Sequence, residues 1–189
     1  MTESGDPKAA LNLPNALSLL RLVAIPVVLI CLLFPGKWWS FFAALFLSIA
    51  FITDMLDGYY ARKYAAVTVL GKFLDPLADK ILVSMTLIML ISLARVPAWM
   101  VVVIVAREIA VTGLRSVAVN EGIVIQASML GKYKTVFQAV ATIALCLHYE
   151  YFGLDLHAVG MVLLWIALIL TLASGWAYFQ AFYRVFFPN

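Results

Sequence analysis

The chain has 189 residues, is 65% hydrophobic and has a mean hydropathy of +1.03, whereas a soluble domain is closer to half apolar. That composition excludes an ordinary soluble domain and indicates an integral membrane protein. The net charge of +3 is modest, so the placement of the charges matters more than their total.

Residues 1–12 are polar and are expected to form a flexible tail. The first 10 residues lack the apolar core of a secretory signal. Leu13-Pro14-Asn15 reads as a helix start, with Asn15 able to cap and Leu17, Leu20 and Leu22 opening an apolar face. A short N-terminal interfacial helix is expected to lead into the first span. A helix needs about 20 apolar residues to cross a bilayer. Six crossings are expected, near residues 17–35, 38–61, 73–94, 98–118, 132–150 and 157–184. Turn residues mark the breaks: Pro35-Gly36, the stretch from Arg62 to Lys72, Arg95 to Pro97, Asn120 to Gly122, and Tyr151 to Asp155. The expected fold is all-α, a single six-helix membrane domain over residues 13–187. Cys31 and Cys146 lie in apolar segments and read as small buried hydrophobes. Their isolation offers neither a disulfide framework nor a zinc spacing.

Charge asymmetry sets the orientation. With both termini cytoplasmic, that side receives Lys8, Arg21, Arg62, Lys63, Lys72, Lys80, Arg107, Arg115, Lys132, Lys134 and Arg184. The other side receives Lys37 and Arg95, together with Glu150 and Asp155. This is a strong positive-inside bias, and Trp38, Trp39, Trp99, Tyr149 and Tyr151 fall where an outer aromatic belt belongs. His148 and His157 flank the outer acidic loop and read as solvated or interfacial.

Four aspartates interrupt this apolar chain: Asp54, Asp57, Asp75 and Asp79. A carboxylate at the centre of a membrane helix costs roughly 2.5–3.5 kcal/mol. Each like-charged pair adds about 4 kcal/mol at 4 Å and an effective dielectric near 20. Such a cluster needs cations to offset it, and is a functional site by default. Asp54 and Asp57 are three apart and share a helix face; Asp75 and Asp79 are four apart and share another. Gly58 and Ala61 continue the first face with almost no side chain, which lets a ligand approach the backbone. Two helices with two carboxylates each form an all-oxygen site. Such a site selects Mg²⁺ or Mn²⁺ and suits two ions that clamp a diphosphate.

The full pattern is D-x2-D-G-x2-A-R-x8-G-x3-D-x3-D, met by Asp54, Asp57, Gly58, Ala61, Arg62, Gly71, Asp75 and Asp79. It resembles the motif of the CDP-alcohol phosphotransferase family at every position. The resemblance implies six membrane helices, a homodimer, and displacement of CMP from a CDP-linked lipid by an alcohol. It implies that Asp54, Asp57, Asp75 and Asp79 bind the metal pair and that Asp79 is also the base on the acceptor hydroxyl. Gly58, Ala61, Arg62 and Gly71 would contact the cytidine and diphosphate. Asn15, Ser18 and Arg21, at three-residue spacing, would lie near the nucleotide end, although interfacial capping and lipid anchoring explain them equally well.

The acceptor is read from the second half. Arg107 and Glu108 interrupt the apolar run VVVIVAREIAVTGLRS, Arg115 follows two turns on, and Lys132 and Lys134 open the fifth crossing. Guanidinium and ammonium groups together suit a phosphate monoester, so the acceptor is expected to carry a phosphate. A competing explanation pairs Arg107 with Glu108 or an aspartate and makes the others topology anchors. NLPNALSLLRLVAIP, AREIAVTGLR and GKYKT further resemble the family branch that uses sn-glycerol 3-phosphate. The reaction so implied joins CDP-diacylglycerol to sn-glycerol 3-phosphate at the cytoplasmic face of the cell inner membrane. No nucleic-acid partner is expected. A sister enzyme using inositol phosphate, serine or phosphatidylglycerol is the alternative. A divalent-cation channel or transporter is the rival outside enzymes, but it would need carboxylates near mid-bilayer.

Overall fold

The computed structural model describes residues 13–64, 69–123 and 129–186; within these, the side chains of 13–22, 54–64 and 69–79 are not described. The described residues form six α-helices and one small hairpin. The helices are α1 (Leu13–Leu33), α2 (Lys37–Tyr64), α3 (Val69–Ser92), α4 (Ala98–Asn120), α5 (Met129–Leu147) and α6 (Leu156–Phe186). Strands β1 (Glu150–Tyr151) and β2 (Leu154–Asp155) pair antiparallel between α5 and α6. Each expected crossing falls on one of these helices, and the fold is all-α. α6 has 31 residues, and an 18-residue stretch of it has a mean hydropathy of 2.3, long and apolar enough to cross a bilayer. Among the described residues, shorter apolar stretches cover Val23–Leu33, Lys37–Thr53 and Lys80–Ser92.

The expected interfacial helix is not a separate element among the described residues. α1 runs unbroken from Leu13, so Asn15 lies inside the helix and not at its cap. The tail expected over residues 1–12 lies outside the described residues.

The chain divides into two compact units, residues 1–86 and 87–189. In the first, α1 packs on α2. α1 buries Ile25, Val28 and Leu32, and α2 buries Ala43, Ala44, Leu47 and Ala50. These fall at the three- and four-residue spacings of one helix face. The small residues on α2 allow close helix approach, which matters where lipid tails are as apolar as leucine. At the turn, Phe34 and Trp39 lie with ring centroids 4.9 Å apart.

In the second unit, α5 and α6 form the most extensive contact and α4 packs on α6. The buried stripe of α6 is Gly160, Leu164, Ala167, Leu168, Thr171, Ser174 and Tyr178. It is apolar through its first half and hydroxyl-bearing through its second. The buried stripe of α5 runs the other way, from Lys134 and Gln138 towards Leu145 and Cys146. Because α5 is antiparallel to α6, the polar halves meet at one end of this unit.

The other end is closed by backbone geometry. Ala94, at φ +55, ends α3: its N–H reaches Ile91 O and the Arg95 N–H reaches Leu90 O. The Arg95 side chain is buried and donates from Nη1 to Cys146 O at 2.7 Å, satisfying a carbonyl at the end of α5. Phe152 and Gly153, both with positive φ, make the two-residue turn of the hairpin. Asp155 Oδ1 then accepts from the N–H groups of His157 and Ala158 and caps α6.

Candidate active site

Asp54, Asp57, Gly58, Ala61 and Arg62 lie on α2, and Gly71, Asp75 and Asp79 lie on α3. Helical backbone at these positions keeps each aspartate pair on one face. Asn15, Ser18 and Arg21 lie on α1. The side chains of all these residues are outside those described.

The basic residues of the second half are described, and they do not behave alike. Arg107 is 15% exposed and holds Glu108 Oε1 at 3.3 Å through Nη1. Its Nη2 donates to Ser174 Oγ at 2.8 Å. Lys134, 5% exposed, makes an ion pair with Glu108 Oε1. Arg115 lies over the ring of Tyr178, with its guanidinium carbon 5.8 Å from the centroid. Lys132 is exposed. It stands two residues, and so about 200° of helix rotation, from the buried Lys134.

Arg107 and Lys134 therefore meet at one carboxylate, Glu108, while Arg115 lies against Tyr178. The pairing of Arg107 with Glu108 was one of the two explanations open from sequence. It occurs, and Lys134 shares the same carboxylate. Among the described residues, three buried polar atoms lack a hydrogen-bond partner: Arg107 Nε, Thr171 Oγ1 and Tyr178 Oη. An unmet buried polar group costs about 1–3 kcal/mol. Of these residues, Arg107 is itself one of the cations and Tyr178 lies against another, Arg115.

Sequence reasoning missed the contribution of α6. Thr171, Ser174 and Tyr178 stand at spacings of three and four and face inward. Polar residues on the same stripe of an otherwise apolar helix were the available signal.

Comparison with known proteins gives these elements a family. The CDP-alcohol phosphatidyltransferase family model matches residues 11–173. The chain is 47% identical over 181 residues to a CDP-diacylglycerol–glycerol-3-phosphate 3-phosphatidyltransferase of Bacillus subtilis, covering 89% of this chain and 94% of that protein. It is 40% identical over 176 residues to the protein of the same name from Rickettsia bellii, covering 93% and 97%. It is 41% identical over 172 residues to a probable phosphatidylglycerophosphate synthase of Mycobacterium tuberculosis, covering 87% and 78%. The matched span takes in the aspartates of α2 and α3, the cations of α4 and α5, and the start of the hydroxyl stripe on α6. On that span, the chain belongs to the CDP-alcohol phosphatidyltransferase family.

Proposed function

We propose that this protein transfers the phosphatidyl group of CDP-diacylglycerol to sn-glycerol 3-phosphate, releasing CMP and forming phosphatidylglycerophosphate. The names of its relatives support this reading. The observation that carries it is the group of basic side chains Arg107, Arg115 and Lys134, with Arg107 Nε buried and without a hydrogen-bond partner among the described residues. A phosphate monoester carries about −1.5 to −2 charge at pH 7 and suits guanidinium and ammonium donors. An acceptor without phosphate would leave Arg107 Nε without that charged partner. Lys132, exposed at the start of α5, can meet the same anion as it arrives from the cytoplasm.

Enzymes of this family depend on divalent metal ions. Asp54, Asp57, Asp75 and Asp79 fit that need, because four carboxylates on two helices are hard oxygen donors suited to Mg²⁺ or Mn²⁺. Two ions held there would supply positive charge to the diphosphate and to the departing phosphate. Asn15, Ser18, Arg21, Gly58, Ala61, Arg62 and Gly71 hold the CDP group. Arg107, Arg115, Lys132 and Lys134 hold the phosphate of the acceptor and orient its free hydroxyl. Asp79 takes the proton of that hydroxyl, the oxygen attacks the phosphorus bearing diacylglycerol, and CMP leaves. The six helices cross the inner membrane, both termini face the cytoplasm, and the protein works as a homodimer in the bilayer.

The test is CMP release from CDP-diacylglycerol by purified protein with Mg²⁺, across a panel of acceptors. Turnover with glycerol 3-phosphate alone is expected. Turnover only with inositol phosphate, serine or phosphatidylglycerol would keep the transfer chemistry and overturn the acceptor. Asp79→Asn is expected to abolish release in protein that elutes normally on size exclusion, and retained release would remove Asp79 as the base.

A further inference from the structure

Arg107 is a long side chain in an apolar bundle, and such a side chain reaches one geometry only if something fixes it. On its own helix the fixing group is Glu108, 3.3 Å from Nη1. The second fixing group comes from α6. Ser174 Oγ donates its proton to Leu170 O at 2.6 Å, which leaves its lone pairs to accept from Arg107 Nη2 at 2.8 Å. Ser174 is 2% exposed, so no water competes for that bond.

The next residue explains how Arg107 comes so near to α6. A Cβ added at Gly175 would lie 3.1 Å from Arg107 Cγ and 3.2 Å from Arg107 Nε. Both distances are tighter than ordinary carbon contacts, so the arginine would have to give way. It is tied to Glu108 and Ser174 at its far end, and Cγ lies close to its own backbone. The stem would have to shift by a few tenths of an ångström, which strains those bonds. Gly175 has ordinary helical backbone, so a glycine there costs helix stability, roughly 1 kcal/mol relative to alanine, with no turn to justify it. The space it leaves is filled by the arginine stem.

We infer that Ser174 and Gly175 of α6 form a seat that positions Arg107 for the phosphate of the acceptor, and so set the affinity for that substrate. The inference rests on the reading of Arg107 as an acceptor-phosphate ligand. Neither residue touches the substrate; both are positioning residues. With Nη1 and Nη2 held, Nε is the donor without a partner among the described residues, and the seat fixes its direction. A preset guanidinium loses less freedom when it binds than a mobile one.

The experiment is a double-mutant cycle on full-length protein in detergent with Mg²⁺ and CDP-diacylglycerol, using Arg107→Ala, Gly175→Ala and the double variant. Gly175→Ala is expected to raise the KM for glycerol 3-phosphate about ten-fold, with the KM for CDP-diacylglycerol changed less than about two-fold. In the Arg107→Ala background the same change is expected to do nothing further, because no side chain remains to displace. Ser174→Ala should act like Gly175→Ala, and Ser174→Thr, which keeps the hydroxyl, should restore the KM. Where Arg107→Ala turns over too slowly, equilibrium dialysis with labelled glycerol 3-phosphate supplies the comparison. An unchanged KM in Gly175→Ala and Ser174→Ala would overturn the seat. So would an equal rise for both substrates, or an effect of Gly175→Ala that persists without Arg107. If Arg107→Ala itself leaves glycerol 3-phosphate binding unchanged, it is the acceptor-phosphate reading of Arg107 that fails.

Discussion

Glu108 faces two cations inside an apolar bundle, Arg107 at 3.3 Å and Lys134 in an ion pair. Removing one partner of a buried ion pair is worth about 3–5 kcal/mol in well-buried cases. These side chains keep 5–15% exposure, so the lower end of that range applies. Glu108→Gln is therefore expected to cost about 3 kcal/mol and to lower the thermal inactivation midpoint in detergent by several degrees. Millimolar glycerol 3-phosphate should recover part of the loss, because binding to the folded state stabilises it. An unchanged midpoint would mean that other groups already compensate these cations. A second residue-scale prediction concerns pH. His148 Nδ1 lies 3.2 Å from His157 Nδ1, so one ring must offer a proton and the other a lone pair. Burial pushes the His148 pKa down, the positive charges of Arg95 and His157 push it further, and Asp155 opposes them. A histidine with a lowered folded pKa is destabilised by protonation. The corner is thus at full strength above the ordinary histidine pKa near 6.5 and weakens as pH falls through the lowered value. Hydrogen exchange of residues 147–158 is expected to accelerate between about pH 7.5 and pH 5 relative to the rest of α6. His148→Asn, which tolerates the φ of +58, should flatten that response. A pH-independent exchange ratio in the parent protein would dismiss the histidine pair as the cause.

The α5–α6 pair is held at its closest by Gly160. A Cβ there would lie 2.8 Å from Leu145 Cγ and 3.0 Å from the Leu145 backbone nitrogen. Backbone cannot swing aside, so the two helices would have to separate. Gly160→Ala is expected to destabilise by about 1–3 kcal/mol, the usual cost of overpacking. Gly113 on α4 is the control, since nothing lies within 4 Å of its added Cβ. Gly113→Ala should be neutral or stabilising by about 1 kcal/mol through helix propensity alone. Equal thermal midpoints for the two variants would contradict the close approach. At this scale the sequence told most about helix bodies and least about helix ends. Gly122 at φ +74 ends α4 and could be anticipated as a glycine after an apolar run. Ala94 and His148 end α3 and α5 in the same left-handed region without that signature, so those boundaries moved by a few residues. Asn15 drew the cap assignment by residue type, but the helix had already begun at Leu13. The hairpin at 150–155 was legible only as a break, because a Phe-Gly turn is not among the residue pairs that favour positive φ at both positions.

Across the whole molecule, charge and hydropathy carried the most information. Arg107 and Glu108 stood out because two charges inside VVVIVAREIAVTGLRS are costly without a purpose. Lys134 and Lys132 were grouped by proximity, although helical phase separates them, and only Lys134 is buried. Ser174 and Gly175 were illegible, since an uncharged hydroxyl and a glycine barely alter the hydropathy of α6. The same charge pattern yields a topology that can be measured. In the second unit, Arg115, Lys132 and Arg184 lie towards the end where α4 and α6 finish and α5 begins, with Arg107 nearer the middle of α4. Arg95, the histidine pair, Glu150 and Asp155 gather at the opposite end. The positive-inside rule assigns the first end to the cytoplasm. Leu154, 60% exposed on the hairpin, and Lys132, exposed on α5, report the two ends. In a background with Cys31→Ser and Cys146→Ser, Leu154→Cys is expected to react with a membrane-impermeant maleimide added to intact spheroplasts. Lys132→Cys is expected to react only after permeabilisation. The reverse pattern would invert the protein in the membrane and deny its cationic end the cytoplasmic glycerol 3-phosphate that the proposed reaction needs. Labelling of both from one side would place the ends of α5 on the same face and remove the crossing between them.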